Sequence, residues 1–411
     1  MLRKAWVFGV VVVAIGLFAG AAEKLVYNSY MSGGMWEEKD RAIVELFSSL
    51  NPDIQVEHSI VAHEDFKNLL RTWLVSSNPP DVLTWFAGER LRYFVEKGLV
   101  ADITDVWTDY GLEEIFSPGV KAACKADGKY YFIPLSEDVW AVFYRKDIFA
   151  QLGLEPPTTW DEFVKVCEVL KNAGYVPLAI GTRYLWTAAA WFDYLNLRIN
   201  GAEFHLKLMA GEVPYDSPQV RKVFEHWKQV LPYFLPNHTS YSGDQSTEFV
   251  IQGKAAMILQ GNWITESYPA DRLEEELGFF RFPIIDPDVP LAEEVPIDGY
   301  IMSANAPHPE AAQKFLAFLA SKEAQQIVAD YDVVARPDVE YPDTPVGRFT
   351  RRLVDEIVTP AEFVTQFYDR DTLPPMADAG MNAFVKFMVY PDKLEEVIRE
   401  LEQARKRVFG G

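Results

Sequence analysis

Residues 25–60 read LVYNSYMSGGMWEEKDRAIVELFSSLNPDIQVEHSI. Leu25 to Tyr30 reads as a short strand that runs into a polar glycine turn, Ser32-Gly33-Gly34. Trp36 to Leu50 places Ile43, Leu46, Phe47 and Leu50 on one helical face, the spacing of an amphipathic helix. Asn51-Pro52 stops it, and Ile54 to Ile60 alternates as a strand. Glu64 to Ser76 predicts a second helix, Asn78-Pro79-Pro80 breaks it, and Asp81 to Phe86 is a third strand. This β-α-β-α-β order predicts the α/β class, with a parallel sheet covered by helices. Ligands of such sheets sit beyond the C-terminal strand ends, here Tyr30 to Trp36 and Trp85 to Glu89.

Further along, Tyr130 to Pro134 is extended and is followed by an apolar strand, Val139 to Tyr144. Thr159-Trp160-Asp161-Glu162 is a capping box opening a helix to about Asn172. Residues 186–210 form a Trp-rich helical region, and Pro218 to Leu231 another helix. Glu248 to Met257 leads into the strand candidate Ile258-Leu259-Gln260. Helices are also predicted over Pro309 to Ala320, Ser321 to Tyr331 and Leu394 to Val408. There is no internal repeat, low-complexity linker or composition shift marking a tandem boundary.

The chain has 411 residues, 49% apolar and 24% charged. That is globular composition, not a disordered, collagenous or coiled-coil one, and the length suggests two to three domains. Acids outnumber bases 60 to 39, a net charge of −21, which argues against nucleic acid as a partner. Residues 1–22 read as a secretory signal peptide: Arg3 and Lys4, the apolar run Val7 to Phe18, then small residues with cleavage near Ala21 or Ala22. Removing Arg3 and Lys4 leaves 37 bases against the same 60 acids, a mature charge of −23. The first cysteine is Cys124, so the reading is a soluble periplasmic protein without a lipid anchor. Cys124 and Cys167 are expected to be unpaired, and they lack metal-ligand spacing.

No G-x-S-x-G, P-loop, G-x-G-x-x-G or H-E-x-x-H motif occurs. The six His are scattered, and the paired acids such as Glu113-Glu114 sit as neighbours, which do not face each other on a helix. Nothing points to a glycosidase pair. What remains is an excess of aromatics, 14% of the chain. Trp73, Trp160 and Trp227 fall at core positions. Trp263 follows Gly261-Asn262 at a strand end and favours a site, while Trp85 and Trp140 are balanced between the two readings. A sugar presents an apolar C–H face and a rim of hydroxyls. Flat aromatic rings suit the first and Asp or Arg side chains the second.

The chain resembles the family 1 extracellular solute-binding proteins, the receptors of carbohydrate ABC importers. The stretches carrying the resemblance are 78–83, 96–103, 127–134, 143–149, 153–163 and 253–263, including Asp127-Gly128-Lys129-Tyr130-Tyr131 and Gly261-Asn262-Trp263. The resemblance implies a two-lobed periplasmic binding protein type II fold with a cleft between the lobes and several crossover strands. By analogy lobe 1 takes residues 23–133 plus 284–331, and lobe 2 takes 134–283 plus 332–411. It implies a monomer that needs no cofactor, binds a mono- or oligosaccharide, catalyses nothing and delivers the sugar to a membrane permease. The positions it points to are Tyr30, Gly34, Trp36, Trp85, Trp140, Trp186, Trp263 and Tyr300 for contact and stacking, and Asp138, Asp298 and Arg336 for hydroxyl bonding. A polyamine, a glycerophosphodiester or a peptide on the same fold is the alternative, and a secreted glycosidase or lectin a second.

Overall fold

The computed structural model describes residues 23–410, so the signal-peptide reading lies outside the described residues. Two sheets organise the chain. In the first, β1 (Glu23–Ser29), β2 (Ile54–Ile60) and β3 (Val82–Phe86) are parallel, with Leu25 opposite Val56 and Tyr27 opposite Val82. Helices Gly34–Leu50 and His63–Leu74 are the crossovers. The sheet is not wholly parallel, however. β10 (Ile297–Met302) is antiparallel to both β3 and β4 (Ile133–Glu137), giving the order β2-β1-β3-β10-β4. It enters from the opposite end because the chain is returning from the other sheet.

The second sheet contains β5 (Trp140–Arg145), β6 (Val176–Ala179), β7 (Ala255–Gly261) and β8 (Leu277–Phe280) in the order β8-β5-β7-β6. Alternation on β5 separates two buried layers. Trp140 and Val142 face the layer that includes helices Trp160–Asn172, Trp186–Met209 and Pro374–Val389. Ala141 and Phe143 face the layer that includes Leu273 and Phe349. The capping box forms as read, with the Thr159 N–H donating to Glu162 Oε2 at 3.1 Å. Cys124 and Cys167 are both free and lie in different cores. Among the described residues no helix is long and apolar enough to cross a membrane.

The first core gathers residues 25–135 and 297–339; the second gathers residues 140–282 and 367–404. The chain passes between them at Glu137–Val139, where the Asp138 N–H donates to Pro296 O at 2.8 Å. Residues 284–294, assigned by analogy to the first lobe, pack with second-lobe elements. Ile284 bridges Thr159, and β9 (Ala292–Glu294) pairs with β11 (Phe363–Thr365). The return crossing therefore falls at Val295–Ile297; Pro283 marks a loop. A third passage runs through Asp332 and Val333, with the Glu137 N–H donating to Val333 O at 3.0 Å.

Candidate functional site

A cleft of about 670 Å³ lies between the two sheets. Tyr30 reaches it from just beyond β1, and Trp36 from the first turn of helix Gly34–Leu50. Gly33 and Gly34 make the sharp entry to that helix with φ of +82° and +53°, angles that glycine adopts without a side-chain clash. Phe86 ends β3, Asp298 sits near the start of β10, and Asp138 lies on the first crossing.

The second lobe supplies an aromatic wall. Trp140 and Trp263 meet edge to face at 5.1 Å, and Trp186 lies 6.0 Å from Trp263. Phe367 stacks on Trp140 at 5.0 Å. Trp140 is buried, whereas Trp186 and Trp263 are partly exposed. The Gly261-Asn262-Trp263 stretch builds this wall. A Cβ on Gly261 would lie 1.8 Å from the Trp263 ring, so only glycine lets the indole fold back over β7. Asn262 accepts from the Val139 N–H at 2.7 Å and donates to Asp332 at 2.6 Å, tying the motif to two crossings.

The polar floor is one network. Arg370 donates to Asp298 at 2.6 Å and to Asp138 at 3.4 Å, and the Tyr30 hydroxyl donates to the other Asp298 oxygen at 2.7 Å. The Arg370 guanidinium lies 4.3 Å from the Phe86 ring centre. Burial and the charge of Asp298 push the Asp138 carboxyl well up, with Arg370 opposing. Burial also lowers the His63 imidazole to about 4, helped by Lys67, so His63 is neutral at neutral pH. Burial raises Glu266 well above the usual carboxylate range, and one of its oxygens is unpartnered.

Tyr30, Gly34, Trp36, Asp138, Trp140, Trp186, Trp263 and Asp298 line this cleft together. Three other positions do not. Trp85 is buried, its ring 4.8 Å from that of Phe86, and it does not reach the cleft lining. There its indole N–H donates to Arg90 O at 3.3 Å beside a smaller cavity of about 290 Å³. Tyr300 lies two residues deeper along β10 than Asp298 and is buried in the first core, 6.1 Å from Tyr27. Arg336 is spent on Asp338 at 2.6 Å and on Ala320 O at 2.8 Å, outside the cleft lining. Conversely, Phe367, Asp369, Arg370, His63 and Glu266 line the cleft without having been picked from the sequence. The segment Gln366-Phe367-Tyr368-Asp369-Arg370-Asp371 mixes aromatic and charged residues, which was the available signal. Among the described residues no group of three His, Cys, Asp or Glu is placed to hold a metal ion.

Residues 36–326 match the family described as bacterial extracellular solute-binding protein. An uncharacterized ABC transporter extracellular-binding protein of Pyrococcus horikoshii is 24% identical over 389 residues, covering 93% of this chain and 87% of the relative. A multiple sugar-binding protein of Streptococcus mutans is 24% identical over 306 residues, 71% of this chain and 70% of the relative. Among solved structures, the bacterial solute receptor AcbH superposes with a TM-score of 0.88 at 30% identity, covering 94% of this chain and all of that one. AcbH has an exclusive substrate preference for β-D-galactopyranose.

Proposed function

The chain belongs to the bacterial extracellular solute-binding protein family, and on that premise we propose that it is the exported receptor of an ABC importer for an uncharged sugar. The observation that carries this reading is the pairing of the Trp140–Trp186–Trp263 wall with the Tyr30–Asp298–Arg370 floor across one cleft. Rings cover the apolar face of a pyranose, and the floor offers charged acceptors and donors to its hydroxyls. Because the wall and most of the floor belong to different lobes, a sugar contacts both and favours the closed arrangement by its differential affinity. The closed form is then what a membrane permease recognises. On this reading the leader is removed near Ala21 or Ala22, no lipid is attached, and the receptor acts as a monomer without a cofactor or a catalytic step. A polyamine is less suited, because Arg370 already occupies the space between Asp138 and Asp298. The same guanidinium argues against those acids acting as a glycosidase pair.

A thermal-shift screen tests the proposal with D-galactose, D-glucose, maltose, raffinose, putrescine and glycerophosphocholine. A ligand at about 100 times its dissociation constant adds roughly 2.7 kcal/mol of stability, enough to move the transition by degrees. A shift with a sugar that Trp263→Ala abolishes supports the reading. A shift with putrescine or glycerophosphocholine alone defeats it.

A further inference from the structure

The C-terminal segment that brings Phe367 and Arg370 to the cleft is a single helical turn, Tyr368–Asp371. Residues three apart share a side of such a turn. Phe367 and Arg370 face the cleft, and Tyr368 and Asp371 face the second core. One turn cannot hold its own shape in water, so something behind it must.

That support is a buried polar cluster on helix Trp186–Met209. Asp193 Oδ2 accepts from the Tyr368 N–H at 2.8 Å. His205 Nε2 lies 3.6 Å from Asp371 Oδ2, and its Nδ1 lies 3.9 Å from Asp193 Oδ1. The Thr372 hydroxyl donates to Met209 O at 2.7 Å, and the Tyr368 and Tyr215 hydroxyls meet at 2.9 Å. Asp193 and His205 are wholly buried and touch nothing in the cleft. In a straight helix, residues twelve apart would be separated by about 18 Å. The break at Gly201, with φ of 79°, turns the second part of the helix back so that His205 faces Asp193.

We propose that Asp193 and His205 are positioning residues that hold the Phe367–Asp371 turn, and with it Arg370, in the geometry the cleft requires. The groups facing His205 are Asp193 and Asn196 on its own helix and Asp371 on the turn. Glu294 on β9 adjoins Asp193, and the Arg198–Glu293 ion pair lies beyond it. Burial alone would discharge the imidazole, but the Asp371 and Asp193 carboxylates outweigh it and raise its pKa. Burial, together with the charge of Asp193, keeps Glu294 protonated. A charged His205 thus sits against Asp371 and beside Asp193, whose own carboxyl burial raises to about 7 against the pull of His205. Once it loses its proton on the alkaline side, Asp371 has no counter-charge and the turn loosens.

The anchoring part of this proposal stands without a ligand; the effect on affinity rests on the sugar reading above. Hydrogen exchange of the sugar-free protein tests the anchor. His205→Gln and Asp193→Asn are expected to speed exchange about tenfold in residues 366–373, with β5 and β7 unchanged. In the wild type, exchange there, corrected for its intrinsic rate, is expected to rise as pH climbs above the ordinary imidazole range, and His205→Gln to remove that step. Unchanged exchange in 366–373, an equal rise throughout the second lobe, or a pH step that survives His205→Gln would overturn the proposal. Calorimetric titration with D-galactose, D-glucose and raffinose adds the second readout: any of these that binds the wild type is expected to bind His205→Gln more weakly, and equal affinity overturns the positioning role. If none of the three binds the wild type, the exchange result alone decides the anchor, and the sugar reading stands or falls by the thermal-shift screen.

Discussion

Lys39 and Asp332 form an ion pair of 2.7 Å that is almost wholly buried where the chain passes between its lobes. Asp332 also accepts from Asn262 beside Trp263, at 2.6 Å. One carboxylate therefore joins a first-lobe helix, a crossing segment and the aromatic wall. Removing one partner of such a pair leaves an uncompensated buried charge, which costs about 3–5 kcal/mol. Lys39→Met is expected to show that loss in urea unfolding, and Lys39→Met/Asp332→Asn to recover part of it. Equal stability of wild type and Lys39→Met would disprove the coupling.

Gly261→Ala separates the fold from the site. The added methyl would meet the Trp263 ring at 1.8 Å, so the ring must leave its place. The displaced group is a side chain on the cleft wall. Sugar affinity is expected to fall to the level of Trp263→Ala, with a loss of stability of about 1–3 kcal/mol. Titration calorimetry beside a melting curve reads both quantities.

Glu137, at the end of β4, has its carboxyl raised to about 7 by burial. Between its unfolded and folded values the unfolded chain gives up a proton that the folded chain keeps. Its contribution is therefore present in acid and lost as pH rises towards about 7, by up to roughly 3 kcal/mol. Glu137→Gln is expected to gain stability relative to wild type over that window and to hold the gain above it. A difference between the two proteins that does not change with pH would contradict this.

Arg336→Ala is expected to leave sugar affinity within about twofold of wild type. Its guanidinium serves the half-exposed Asp338 and the Ala320 carbonyl, and neither group lines the cleft. A tenfold weaker Kd would return Arg336 to the site.

The parts of the fold that repeat a period were legible. β1, β2 and the helices that follow them announce themselves by alternation and by three-to-four spacing, and Thr159 to Glu162 names its own helix start. Trp263 was legible because glycine and asparagine beside a strand end restrict what can follow. Trp85 and Tyr300 misled for a geometric reason: one packs beside Phe86 against a neighbouring cavity, the other lies too far along its strand, and neither shows in composition. The Tyr368–Asp371 turn and β11 are too short to carry any period. Their positions come from Asp193, His205 and Ala292–Glu294, far away in sequence. The return crossing at Val295 was obscured because Pro283 looked like a better boundary than it is.

The place of β10 in the first sheet also sets a timetable. It lies between β3 and β4, yet it is made only after all four of the second sheet's strands. Until Met302 has left the ribosome, the first lobe has an open slot in its middle and no complete core. A chain that must be threaded across a membrane before it folds gains from that delay, because its first third cannot close up ahead of the rest.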